Sequence, residues 1–195
     1  MSRSRGWLLI LCGLLFPWTV VHAGPPTQSA QALLSSAPSF PSVTLLLSTL
    51  PDSTRVKMLA AIARGDVAGA ISMWQLATGR DTVPPPLMAL QAAFNVTNRV
   101  AGPCARIAKE IYEGFKSVGG DPQFLRISST HGKFLSWQGR TLVSDNNFHI
   151  AVFYEGRVYD AFTGATGMLQ AEYLKNLMMR GSPVIQQVTE EMLAP

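Results

Sequence analysis

Cysteine is scarce in this chain, with two in 195 residues, Cys12 and Cys104. Cys12 falls inside an apolar N-terminal stretch that reads as a removable leader, so one cysteine remains afterwards and no intramolecular disulfide can form. Histidine is also sparse: beyond His22 in the leader there are His131 and His149, and neither has a ligand-spaced partner. No metal site is therefore expected, and no cofactor is called for. Charged residues make up only 14% of the chain, with no dense Lys/Arg stripe interleaved with aromatics, which speaks against nucleic acid as a partner. Long apolar runs are missing as well. The longest, Trp7 to Val21, falls short of the roughly 20 residues that span a bilayer, and Pro17 interrupts it.

That run is what a secretory leader needs instead. Ser2-Arg3-Ser4-Arg5 supplies the basic start, and Val21-His22-Ala23 puts small residues at −3 and −1 of a cut before Gly24. Residues 1–23 are thus expected to be a signal peptide, and the mature protein secreted or periplasmic without a stable membrane anchor. Leu11 ahead of Cys12 is too large for a lipidation site. Removing the leader takes two arginines and lowers the formal charge from +4 to +2. An unpaired cysteine in an exported protein invites oxidation, so Cys104 asks for a reason.

Residues 24–42 are rich in Pro, Ser, Ala and Gln and read as an exposed linker. Residues 43–97 read as a helical segment, either a pro-segment or a helical subdomain. Pro51-Asp52-Ser53 starts a helix carrying Val56, Leu59, Ala60 and Ala63, and Gly65-Asp66 breaks it. A second helix carries Val67, Ile71, Trp74 and Leu76 and ends near Gly79. Val83-Pro84-Pro85-Pro86 reads as a stiff connector before a third helical stretch from Leu87 to Val100. Residues 98–195 form the expected catalytic domain. Pro103-Cys104 opens an amphipathic helix closed by Gly119-Gly120, which places the thiol on a first helical turn, where unpaired N–H groups favour a thiolate. The period then switches from 3.6 to 2: strands are expected over Phe124–Ser128, Lys133–Trp137, Arg140–Val143, Phe148–Tyr154 and Arg157–Phe162, with a closing helix from Leu169 to Met179. Helices followed by an antiparallel meander predict an α+β fold.

The last hairpin brings a base and an acid together. With Glu155-Gly156 as a two-residue turn, Tyr154 pairs with Arg157, Phe153 with Val158, Val152 with Tyr159 and Ala151 with Asp160. Alternation puts His149 on the face of Ala151, so His149 and Asp160 become diagonal neighbours, roughly 7–8 Å apart at Cα. A carboxylate and an imidazole on a largely apolar face are costly unless they pair or act. With Cys104 they supply nucleophile, base and orienter. His131 sits in a turn with no acid at hairpin spacing and reads as a solvated loop residue. For an oxyanion hole the Cys104 N–H is available, and Asn98 or Gln91 could add a side-chain amide.

The order Cys–helix–strands–His–hairpin–Asp is that of the papain-like superfamily. More closely, residues 98–178 resemble the papain-fold toxin domains of bacterial polymorphic toxin systems. The resemblance is carried by Cys104-Ala105-x-x-Ala108, Phe124-Leu125-Arg126-Ile127, Ser144-Asp145-Asn146-Asn147-Phe148-His149-Ile150-Ala151-Val152 and Gly156-Arg157-Val158-Tyr159-Asp160, with Gly167-Met168 and Glu172-Tyr173-Leu174 trailing. It implies a papain-like fold in which the nucleophile-bearing helix packs on a small antiparallel sheet, with Cys104, His149 and Asp160 at the catalytic positions and Asn98 at the spacing of papain's amide residue. It also implies a thiol enzyme acting on a protein or peptide amide through an acyl-enzyme, as a peptidase or glutamine deamidase, with a toxin role and an inhibitor or immunity protein as a partner. A transglutaminase-like acyltransferase shares the same residue order, and a non-catalytic binding protein retaining the fold is the alternative from another class.

Overall fold

The computed structural model describes residues 47–193; the leader, its expected cleavage site and the linker lie outside them. Three helices come first: α1 (Asp52–Ala63), α2 (Val67–Thr78) and α3 (Pro85–Ala93). After a 3₁₀ turn at Val96–Asn98 comes α4 (Cys104–Ser117). The strands are β1 (Gln123–Ser129), β2 (Leu135–Trp137), β3 (Thr141–Ser144), β4 (Phe148–Tyr154), β5 (Arg157–Tyr159) and β6 (Met168–Leu169). The chain ends with α5 (Gln170–Asn176), β7 (Leu177–Met179), β8 (Pro183–Val188) and a 3₁₀ turn at Glu190–Leu193. One sheet has the order β6-β5-β4-β1-β8 and the other β3-β2-β7, and every pairing is antiparallel. The fold is α+β.

Local chemistry explains most boundaries. Asp66 caps α2 by accepting from the Gly69 N–H at 2.8 Å, and Gly79 ends it in the left-handed region. The β4–β5 hairpin turns on Glu155 and Gly156, both at positive φ, as a two-residue primed turn requires. Its register is Tyr154 with Arg157, Phe153 with Val158 and Val152 with Tyr159, as the sequence predicts.

Several expectations are corrected. The prolines before Leu87 are not a connector: Pro84 caps α3, and Pro85 and Pro86 form its first turn, where a missing N–H costs nothing. That helix stops at Ala93 rather than Val100, because the Asn95 side chain accepts from the Thr97 N–H and starts the 3₁₀ turn. α1 buries Met58, Ala61 and Ile62, while Val56 is 64% exposed; on α2, Leu76 is 86% exposed. Both helices carry small apolar residues on several sides, so spacing alone does not select the buried face. β5 ends at Tyr159, not Phe162. The closing helix ends at Asn176, and Leu177–Met179 pairs as β7 with β2. β8, which pairs with β1, has no counterpart in the sequence reading.

Two cores flank the five-stranded sheet. On one face, Ile150, Val152, Tyr154 and Tyr159 pack with Ile107, Ile111 and Phe115 of α4 and with Met58, Ile62, Trp74, Leu87 and Leu90 of the preceding helices. Residues 52–93 therefore share one continuous core with the helix that carries Cys104. Each large apolar side chain buried there contributes about 1.5–3 kcal/mol. α3 and α4 approach closely at Gly114, where an added Cβ would lie 2.7 Å from Leu90 Cβ. On the other face, Ala151, Val158, Leu125 and Ile127 pack with Phe162, Leu135, Val143, Tyr173 and Leu177.

Candidate active site

Cys104, His149 and Asp160 line one narrow pocket, together with Asn98, Val100, Ile107, Ile150, Ala161 and Phe162. By alternation His149 belongs to the sheet face of Ala151, whereas α4 packs on the face of Ile150 and Val152. The two meet because β5 stops early. Ile150 still pairs with Arg126 of β1 but lies beyond the last β4–β5 pair, Val152 with Tyr159, and on that open side its N–H faces the Cys104 sulfur. The thiol thus reaches the imidazole around the end of β5.

Asp160 leaves the strand in a tight turn held by its own side chain. One carboxylate oxygen, Oδ1, accepts the Phe162 and Thr163 N–H groups, each at 2.8 Å. The other, Oδ2, accepts from His149 Nε2 at 2.9 Å and from the Tyr173 hydroxyl at 2.7 Å. His149 and Asp160 are each 2% exposed. Trp137 closes this side, its ring 5.3 Å from that of Tyr173 and 5.7 Å from that of Phe162. Tyr173 escapes the sequence reading as a site residue. Nothing in its spacing from Asp160 marks it, and the contact forms only once α5 packs against the β5 end.

Electrostatics follow from this wiring. Burial alone would raise the Asp160 pKa, but the hydrogen bond and charge of His149, with Tyr173 and the Thr163 N–H, hold it below the usual 3.8. Burial pushes the His149 pKa down, yet Asp160 and the Cys104 sulfur more than offset it and raise it from 6.5 to about 9. Burial likewise pushes the Cys104 thiol up, and His149 outweighs it, aided by the Ile150 and Ala105 N–H groups, so the thiol lies below its ordinary 9.0. All three directions favour a thiolate–imidazolium pair beside an ionised carboxylate. Because Nε2 faces a carboxylate, it carries a proton in either state of the ring. Nδ1 is buried without a formed hydrogen bond and is the nitrogen left to exchange a proton with Cys104. Such a loose contact is common before substrate arrives.

Asn98 lies at the same pocket, but both hydrogens of its amide are engaged. Its Nδ2 donates to the Ala92 and Ala93 carbonyls at 3.0 and 3.2 Å, closing the end of α3. In this arrangement it has no hydrogen to offer an oxyanion. Gln91 is exposed on α3 and does not line the pocket. The first turn of α4 has no side-chain cap, so the Cys104 N–H remains a backbone donor. His131 is exposed in the turn after β1, with Nδ1 2.9 Å from Thr130 Oγ1. Among the described residues no cluster of three or more His, Cys, Asp or Glu could hold a metal ion, and no helix is long and apolar enough to cross a membrane. Comparison of the chain with protein-family models, with curated proteins and with solved structures finds no match.

Proposed function

We propose that this chain is an exported, papain-like thiol enzyme that acts on a protein or peptide amide. The observation that carries the reading is the convergence of Cys104, His149 and Asp160 on one pocket, with pKa directions that favour a thiolate on the first and a proton on the second. The Cys104 sulfur attacks the amide carbonyl carbon and forms a C–S bond. Negative charge gathers on the carbonyl oxygen, towards which the Cys104 N–H can donate. As the C–N bond breaks, His149 Nδ1 gives its proton to the leaving amine, or to ammonia when the amide is a glutamine side chain. His149 then takes a proton from water, which attacks the thioester and releases the acid and the thiol. Asp160 keeps the proton on Nε2 throughout.

Alkylation of Cys104 by iodoacetamide across pH, with the modified peptide identified by mass, tests this. The rate is expected to follow a thiolate formed below the ordinary 9.0 and to lose its imidazolium partner near pH 9, giving a step and then a change of slope. An ordinary thiol titration, unchanged by His149→Ala, would sink the reading.

A further inference from the structure

The rim of this pocket carries a cation with no counter-charge. Arg99 stands between Asn98 and Val100, which both line the pocket, and its Nε donates to the carbonyl of Ala161, a third lining residue, at 3.0 Å. That bond ties the guanidinium to the pocket wall, at the residue next to Asp160. Arg99 is exposed, and among the described residues no carboxylate lies within ion-pair distance of it. One of its five N–H groups is taken by Ala161, and among the described residues the four on the Nη atoms have no hydrogen-bond partner. Arg106, also close by on the first turn of α4, differs in kind. Its Nη1 is paired with Glu110 at 2.6 Å and its Nη2 reaches Asn98 Oδ1 at 3.4 Å. The Asp160 carboxylate is buried, with both oxygens engaged by His149, Tyr173 and the Phe162 and Thr163 N–H groups. The exposed, unpaired charge beside the pocket is that of Arg99.

We infer that Arg99 is a specificity residue that selects substrates bearing a carboxylate beside the reacting carbonyl, as in an acidic peptide segment. This rests on the reading of Cys104 as a nucleophile. The end of the guanidinium presents a flat fork of donors, which suits the two oxygens of a carboxylate. With Nε held by Ala161, the carboxylate meets both Nη atoms end-on. The walls behind it are apolar, from Val100, Ile107, Ile150 and Phe162, so an anion at the mouth sits at the rim and not within.

Two small reagents of nearly equal size test this on the full chain. Iodoacetate carries the carboxylate and iodoacetamide does not, and both alkylate thiolates. The ratio of their rates at Cys104 is expected to fall by up to about fivefold in Arg99→Gln, the upper end for an exposed ion pair, while the iodoacetamide rate and its pH profile stay at the wild-type values. Arg99→Lys should keep most of the preference, since it retains the charge. Raising the salt concentration should reduce the wild-type ratio towards that of Arg99→Gln. An unchanged ratio in Arg99→Gln, with iodoacetamide still reacting as at a depressed thiol, overturns this inference and leaves the nucleophile reading standing. A fall in both rates together assigns Arg99 a merely structural role and also overturns it. Ordinary thiol behaviour towards iodoacetamide in the wild type removes the nucleophile and the inference with it.

Discussion

Replacing Asp160 with asparagine changes one atom at the centre of the site, and the structure fixes which atom that is. Oδ1 accepts two backbone N–H groups, so the asparagine oxygen takes that place and its NH₂ group takes the place of Oδ2. A donor then faces His149 Nε2, where the wild-type protein has an acceptor 2.9 Å away. Two consequences follow. Without the carboxylate, the hydrogen bond and charge that do most to hold the His149 pKa up at about 9 are lost, and burial then favours the neutral ring. The neutral ring must also accept at Nε2, which places its single proton on Nδ1, the nitrogen that should receive a proton from Cys104. Asp160→Asn is therefore expected to lose on the order of 10³-fold or more in turnover, the scale associated with a wrongly held tautomer. At pH 7 its alkylation by iodoacetamide should slow by at least about tenfold as the thiol returns towards its ordinary pKa or above. The assay is the iodoacetamide rate from pH 5 to 10 for both proteins. If Asp160→Asn keeps the wild-type profile, the carboxylate does not set the state of His149 and the wiring argued above is wrong.

Tyr173→Phe removes one of the four hydrogen bonds to the Asp160 carboxylate and leaves three. It should cost about 1.5–3 kcal/mol in urea unfolding, because the bond is to a charged acceptor. It should also raise the Asp160 pKa, so that the pH at which stability is lost in acid moves upward; loss of stability with no shift of that pH would make Tyr173 a packing residue only. Asp160 itself sets an acid dependence of stability. Its folded pKa lies below 3.8, so its contribution is present above that value and is lost as pH falls through the folded one; a wild-type urea midpoint that does not drop below pH 4 more than that of Asp160→Asn would contradict this. Gly114→Ala should destabilise by about 1–3 kcal/mol even though alanine is the better helix former, since its Cβ would meet Leu90 at 2.7 Å; a raised urea midpoint would show that α3 and α4 can move apart freely.

The hairpin carrying His149 was legible because its turn fixes the register by itself. Glu155-Gly156 sets Tyr154 against Arg157, and alternation does the rest. The end of β5 was not legible by alternation, since Arg157 to Phe162 keeps the period. The signal lay in turn chemistry: Asp160 followed by Thr163 and Gly164 is a segment whose side chains bond their own backbone, with the Asp160 N–H donating to Thr163 Oγ1 at 3.0 Å. The α4 helix was legible in full because its charge and apolar faces are sharply divided. The faces of α1 and α2 were not, and neither was the inward role of Tyr173, because these depend on elements far along the chain. For the same reason the capping role of Asn98 could not be read from its distance to Cys104: the spacing fits an oxyanion donor and a helix cap equally well.

The hydroxyl of Tyr159 donates to the carbonyl of Ala63, a contact across 96 residues. It ties the end of β5 to the end of α1, on the side of the sheet where the first three helices and α4 share their core. Those helices are synthesised first, yet they cannot close their apolar face until the hairpin has formed and docked. Such long-range closure is slow, because the chain entropy is lost before the contact is gained. Cys104, His149 and Asp160 come from segments that this closure brings together, so under the proposed function a competent site requires the helices and the hairpin to be docked.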